Sequence, residues 1–116
     1  MKGLKDCLFC KIINGEIPSK LIYEDEKAIA FEDIDPQAPV HYLVIPKEHI
    51  PSVDWIDENN KELMGHLLYI VSKLAKEKGL DEGYRIVNNC GTDGGQTVGH
   101  IHFHVLGKRK MLWPPG

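Results

Sequence analysis

Residues 60–79, NKELMGHLLYIVSKLAKEKG, place apolar side chains at Leu63, Leu67, Ile70, Val71 and Leu74, and Gly79 follows the last of them. That three-and-four spacing puts the apolar groups on one helical stripe, and a glycine just beyond it can adopt the left-handed backbone that ends helices. The reading is one amphipathic helix from Asn60 to Lys78, about 28 Å long. The flanking segments alternate with a period of two instead. Leu21 to Glu24, Ala28 to Asp33 and His41 to Pro46 are short β-prone runs separated by an acidic turn and by DIDPQAP, which predicts a three-stranded antiparallel meander. Tyr84 to Asn89 and His100 to Leu106 predict two more strands, joined by CGTDGGQTVG. A helical turn over Cys7 to Ile13 completes an α+β fold: a five-stranded antiparallel sheet, one long helix and a short N-terminal helix.

No repeat, low-complexity tract or Pro/Gly/Ser linker divides the 116 residues, so residues 1–116 are expected to form a single domain. A hydrophobic fraction of 42% and a charged fraction of 27% exclude disordered and collagen-like classes. Fourteen Lys and Arg against 17 Asp and Glu, a net charge of -3, disfavour binding to a nucleic-acid backbone, so any bound nucleotide is expected to be a small molecule. The segment MKGLKDCLFCKIINGEIP lacks an uninterrupted apolar run, which predicts no membrane span and a cytoplasmic location. Three cysteines, Cys7, Cys10 and Cys90, are too few for a disulfide framework and point to a reducing compartment or a metal.

Alternation in HYLVIP sends His41, Leu43 and Ile45 to one sheet face and Tyr42 and Val44 to the other. Phe31 shares a face with Asp33, and Val87 with Asn89, so each strand closes an apolar face with a polar group, as a pocket rim does. The densest chemical signal is HIHFHVL, where His100, His102 and His104 alternate with apolar residues. Random placement of the six histidines gives such a triple only about 0.01 to 0.02 times per chain. Three readings remain open: a solvent face that happens to carry histidines, a metal site using two of them, and phosphoryl chemistry.

One ion cannot take all three, since residues four apart on a strand lie about 13 Å apart. A row of separated imidazoles suits an extended phosphoryl group. Charged imidazoles about 7 Å apart repel by roughly 2 kcal/mol at an effective dielectric near 20, so not all are protonated together. A neutral ring between potential proton donors is what attack on phosphorus needs, which makes the middle residue, His102, the expected nucleophile. Upstream, Gly91, Gly94, Gly95 and Gly99, with Thr92 and Thr97, form a loop whose amides can approach anionic oxygens.

HIHFHVL, preceded by DGGQTVGH and followed by GKRKMLWPPG, resembles the histidine-triad superfamily and within it the Hint branch of purine nucleotide-binding phosphoramidases. The likeness extends through FCKIINGEIPSKLIYED, DIDPQAPVHYLVIPKEHI and YRIVNN. It implies a homodimer and hydrolysis of a purine nucleoside phosphoramidate, with AMP or GMP as product, through a nucleotidyl-histidine on His102. His104 and Thr97 would hold phosphate oxygens or the leaving group, and His41 would support the network. Asp33 matches a ribose ligand; Asn89, Gly95 and Gln96 match phosphate or loop contacts; Leu8, Phe9, Ile12, Phe31, Ile34 and Leu43 match walls around the base, where ordinary packing is an equal use. Thr97 stands where many Hint proteins carry serine. The WPPG tail corresponds to a segment that reaches the partner's active site, and its rigid apolar residues are expected to dock rather than stay in solvent.

Cys7 and Cys10 form a C-x-x-C pair able to reach one tetrahedral ion. By likeness to a zinc-bearing bacterial subset, His49 and His100 would complete a structural zinc site, and His100 would then fix the segment presenting His102. A redox pair or two packed thiols are the alternatives. No organic cofactor is expected. A nucleotide-binding or scaffold module with vestigial catalysis and a dinucleotide polyphosphate hydrolase are the competing functions.

Overall fold

The computed structural model describes residues 6–116; the first five residues of the segment read above for leader character lie outside it. The elements run α1 (Leu8–Ile13), β1 (Leu21–Glu24), β2 (Ala28–Glu32), β3 (Val40–Pro46), a 3-10 turn (Val53–Trp55), α2 (Lys61–Glu77), β4 (Tyr84–Val87) and β5 (Phe103–Gly107). All five strands join one antiparallel sheet in the order β1-β2-β3-β5-β4. The architecture is the expected α+β fold.

Helix α2 ends as its sequence predicts. Gly79 has φ +72°, its N–H donates to the Lys76 carbonyl at 3.2 Å, and Leu80 N–H donates to Ala75 at 3.0 Å, so the last carbonyls are satisfied by a Schellman turn. The apolar stripe of α2, including Leu67, Ile70, Val71 and Leu74, packs on one sheet face with Tyr42, Val44, Ile101 and Val105. Tyr42 is fully buried, and its hydroxyl donates to the Val71 carbonyl at 2.9 Å. The opposite face carries Ile29, Phe31, Leu43 and Ile45 under Phe9, Cys7 and Cys10 of the α1 segment. The alternation of HYLVIP thus divides two cores, and the histidines share the second with α1.

Strand limits differ from expectation at three chemically important places. β2 stops at Glu32, leaving Asp33 at the start of a turn, and β4 stops at Val87, leaving Asn88, Asn89 and Cys90 in the following loop. β5 begins at Phe103 rather than His100, because His100 N–H turns back to the Val98 carbonyl at 2.9 Å and Ile101 N–H bonds Ile50 at 2.7 Å instead of β3. The triad therefore does not lie along a single strand face. His104 is in the sheet, His102 immediately precedes it, and His100 belongs to the turn.

Candidate functional site

The turn before β5 decides the chemistry of His102. Its ring is buried, 4% exposed, and its Nδ1 lies 2.7 Å from the carbonyl oxygen of His100. A carbonyl oxygen only accepts, so Nδ1 carries the proton and Nε2 keeps a lone pair. The ring of Phe9 stands edge-on to it at 5.0 Å, and the His104 ring lies on another side at 5.0 Å. Asn88 donates from Nδ2 to the His102 carbonyl at 2.9 Å, holding the backbone from the β4 side. The nucleophile expected from sequence is thus presented as a neutral, oriented imidazole.

His104 and His41 meet diagonally across β3 and β5, where Leu43 pairs with His104 and His41 with Leu106. His41 Nε2 is 2.9 Å from His104 Nδ1 and 3.3 Å from Asp33 Oδ2, while its Nδ1 accepts the Gln37 N–H at 3.0 Å. Asp33 uses Oδ1 to accept the Asp35 N–H at 2.8 Å.

The third histidine turns to the cysteines. His100 Nδ1 is 3.4 Å from Cys7 Sγ and 3.6 Å from Cys10 Sγ, and His49 Nδ1 is 3.3 Å from Cys10 Sγ. Metal bonds of about 2.3 Å to sulfur and 2.05 Å to nitrogen in a tetrahedron would separate S and N by about 3.6 Å, so these four donors fit one ion closely. The other nitrogen of His100, Nε2, donates to the Pro46 carbonyl at 2.9 Å, which leaves Nδ1 bare for a metal. Cys7 caps α1, and its sulfur accepts the Cys10 N–H at 3.3 Å.

A model of the HIT domain matches residues 14–111. The chain belongs to the HIT family. It is 51% identical over 112 residues to an uncharacterised HIT-like protein of Synechococcus elongatus, covering 97% of this chain and 98% of that one. The crystal structure of a HIT family hydrolase from Legionella pneumophila superposes with a TM-score of 0.94 at 50% identity, covering 96% of this chain and all of that one. The histidine triad nucleotide-binding protein of Candida albicans gives 0.83 at 37% identity, covering 96% and 85%. The matched HIT span holds His41, His49 and all three triad histidines; Cys7 and Cys10 precede it.

Burial keeps the HIT histidines neutral. It is the largest influence on each, lowering the pKa of His41, His49 and His102 and, with the neighbouring imidazoles, taking His100 and His104 down to about 4. Carbonyl and carboxylate neighbours only partly offset it: His100 is countered by the Pro46 carbonyl and His104 by Asp33.

The glycine loop is held by its own side chains. Gln96 accepts the Gly91 N–H at 3.0 Å and donates to the carbonyls of Pro51 at 2.7 Å and Val98 at 3.0 Å, so its amide closes the loop. Asn89 donates to the Gly94 carbonyl at 2.6 Å. Gly95 has φ +76°, and a Cβ on Gly94 would overlap the Cys90 carbonyl. Thr97 is exposed and lines, with Cys7, Leu8 and His49, a surface hollow of about 400 Å³. Phe9, Phe31 and Leu43 are buried in the second core and Ile12 packs against it, whereas Leu8 is half exposed and Ile34 is 99% exposed on the turn after β2.

Two contributors escaped the sequence reading. Asn88 carried no signal apart from its neighbour Asn89, and the Gln37 amide is a backbone group that no motif displays. His66 lies 2.7 Å from Asp25 and ties α2 to the turn between β1 and β2. Trp113 is 82% exposed, and the tail is held within the chain at Leu112, whose carbonyl accepts from Arg85 at 2.9 Å.

Proposed function

We propose that this HIT protein is a Hint-type hydrolase of purine nucleoside phosphoramidates. The observation that carries the reading is the bond from His102 Nδ1–H to the His100 carbonyl at 2.7 Å, which leaves Nε2 of a buried ring as a nitrogen nucleophile. Nε2 forms a bond to phosphorus as the phosphorus–nitrogen bond breaks and the amine departs with a proton. Water then attacks the nucleotidyl-histidine, releasing the nucleoside monophosphate and restoring the neutral ring. The His104 ring lies 5.0 Å from that of His102, Thr97 would offer a hydroxyl to the leaving group or a phosphate oxygen, and Asp33 would present a carboxylate to a sugar hydroxyl. The nucleotide-binding name of the Candida albicans relative favours the same ligand class.

Cys7, Cys10, His49 and His100 would hold a structural zinc. When bound, the ion locks their positions, and His100 in turn offers its carbonyl to the nucleophile. Metal analysis of protein never exposed to chelator tests this: about one zinc per chain is expected, and substoichiometric metal contradicts it.

The chain is further read as one domain that pairs as a homodimer. Tyr84 and Ile86 are 38% and 43% exposed on β4, which ends the sheet, and Trp113 projects nearby through the Arg85–Leu112 bond, so a second copy has an apolar edge to cover. Light scattering should give twice the chain mass; a monomer contradicts the pairing.

Steady-state assays with adenosine phosphoramidate, guanosine phosphoramidate and a diadenosine polyphosphate test the activity. Turnover of the phosphoramidates, lost in His102→Ala, is expected. Binding without turnover favours the scaffold reading, and preference for the polyphosphate favours the dinucleotide hydrolase.

A further inference from the structure

Two groups of metal-type donors lie among the described residues. One is the cysteine and histidine cluster; the other is Asp33, His41 and His104, whose ligand atoms lie within 4.8 Å of one another. What faces the remaining nitrogen of each ring separates them. A histidine that binds a metal through one nitrogen keeps its proton on the other and donates it to an acceptor. His100 satisfies this rule, with Nε2 against the Pro46 carbonyl at 2.9 Å. His41 breaks it, because its Nδ1 receives the Gln37 N–H at 3.0 Å. A backbone amide cannot accept, so a metal on His41 Nε2 would leave that ring with no proton on either nitrogen, an imidazolate.

The geometry points to a different use: we propose that the Gln37 amide is a positioning group that fixes, through His41, which nitrogen of His104 carries the proton. With Nδ1 occupied by the amide, neutral His41 carries its hydrogen on Nε2 and donates it to His104 Nδ1 at 2.9 Å, with Asp33 Oδ2 at 3.3 Å sharing the donor. His104 Nδ1 is then an acceptor, and its own hydrogen sits on Nε2. The amide is itself held in place. Arg109 Nε, beyond β5, donates to the Gln37 carbonyl at 2.9 Å, and Gln37 Nε2 donates to the Asp35 carbonyl at 2.9 Å. The direction of the chain is therefore set by a backbone group fastened at both sides.

The inference rests on the phosphoramidase reading and narrows it. A neutral imidazole with a fixed Nε2–H is a hydrogen-bond donor, suited to a phosphoryl oxygen on which charge grows during attack. It is not a net acid, since surrendering that proton would leave an imidazolate. The proton for the departing amine therefore comes from elsewhere, for example an amine already protonated on the substrate, and His104 acts on the oxygens.

The test begins without substrate. Nitrogen-15 NMR of the ring nitrogens at neutral pH should show His41 and His104 both bare at Nδ1 and protonated at Nε2; His104 protonated at Nδ1 would overturn the proposal. Replacing the Gln37 amide by an ester, through an α-hydroxy acid incorporated at position 37, exchanges the N–H for an oxygen that cannot donate and leaves every side chain in place. It should let the His104 signals report both tautomers and lower kcat about threefold to tenfold with KM nearly unchanged. An ester protein with wild-type signals and kcat would also overturn it. His41→Gln, which supplies an N–H at the position of Nε2, should stay within about threefold of the wild-type kcat, whereas His41→Leu should lose at least about tenfold; equal losses would count against the proposal. Cobalt titration should saturate at one equivalent, and a second ion bound through His41 would contradict it. Failure of the phosphoramidase reading looks different: no adduct on His102, whatever the tautomers.

Discussion

Replacing His104 with Gln should make the protein less sensitive to acid. In the folded chain, burial, followed by the His102 and His41 rings, holds the His104 pKa down to about 4, against 6.5 for an ordinary histidine. The unfolded chain therefore binds a proton at this position between those values while the folded chain does not, and stability falls as pH drops through that window. A gap of about 2.5 pH units corresponds to about 3.4 kcal/mol. The side chain is 21% exposed, so solvent screening reduces the expected contribution to about 2 kcal/mol. Urea unfolding followed by circular dichroism, at about pH 7 and about pH 4.5, measures it; the indoles of Trp55 and Trp113 are too exposed for fluorescence to report well. Wild type should lose about 2 kcal/mol more than His104→Gln between the two conditions. The subtraction cancels the acid sensitivity of the Cys7, Cys10, His49 and His100 cluster, which both proteins share. Equal losses in the two proteins would refute the reasoning, because a pKa near 4 obliges this ring to resist protonation only while folded.

Gly94→Ala places a Cβ against the Cys90 carbonyl, so the loop must shift; a cost of about 1–3 kcal/mol and a weakened affinity for AMP are expected by thermal melts and calorimetry. Asn88→Ala removes the donor to the His102 carbonyl and should lower kcat about fivefold while the melting temperature changes little, read from initial rates beside a melt. Asp25 is pushed up by burial, but its bonds from Lys27 N–H, His66, Tyr23 and Ala28 N–H outweigh this and draw its pKa down to about 2. Asp25→Asn should therefore cost about 1–2 kcal/mol at neutral pH, a deficit that shrinks as pH falls from about 4 to about 2, measured by urea titration.

The periodicities that define the sheet and α2 were legible because they reflect local geometry. Tyr42 and Val44 face α2 while Leu43 and Ile45 face α1, as a two-residue repeat demands. His102 was legible for a related reason, since its place between two other histidines is a pattern in one short run. What escaped depended on contacts between distant segments. The alternation around His100 predicts a strand, but Ile101 pairs with Ile50 and the chain turns there; that the ring meets Cys7, 93 positions away, followed from the family likeness and not from the alternation. Gln96 matches a phosphate or loop contact, and which carbonyls its amide reaches, those of Pro51 and Val98, depends on the folded loop. Asn88 and the Gln37 amide act through hydrogen bonds whose partners are set by the folded sheet, and neither residue type advertises the role.

The central claim is that His102 attacks phosphorus through Nε2. Rapid quenching of wild-type protein with adenosine phosphoramidate, followed by peptide mapping under conditions that preserve phosphorus–nitrogen bonds, tests it most directly. An adenylyl group is expected on the peptide containing His102, attached at Nε2 and absent from His102→Ala. Turnover accompanied by an adduct on His41 or His104, or by no adduct at all when hydrolysis of the intermediate is slowed, would contradict it.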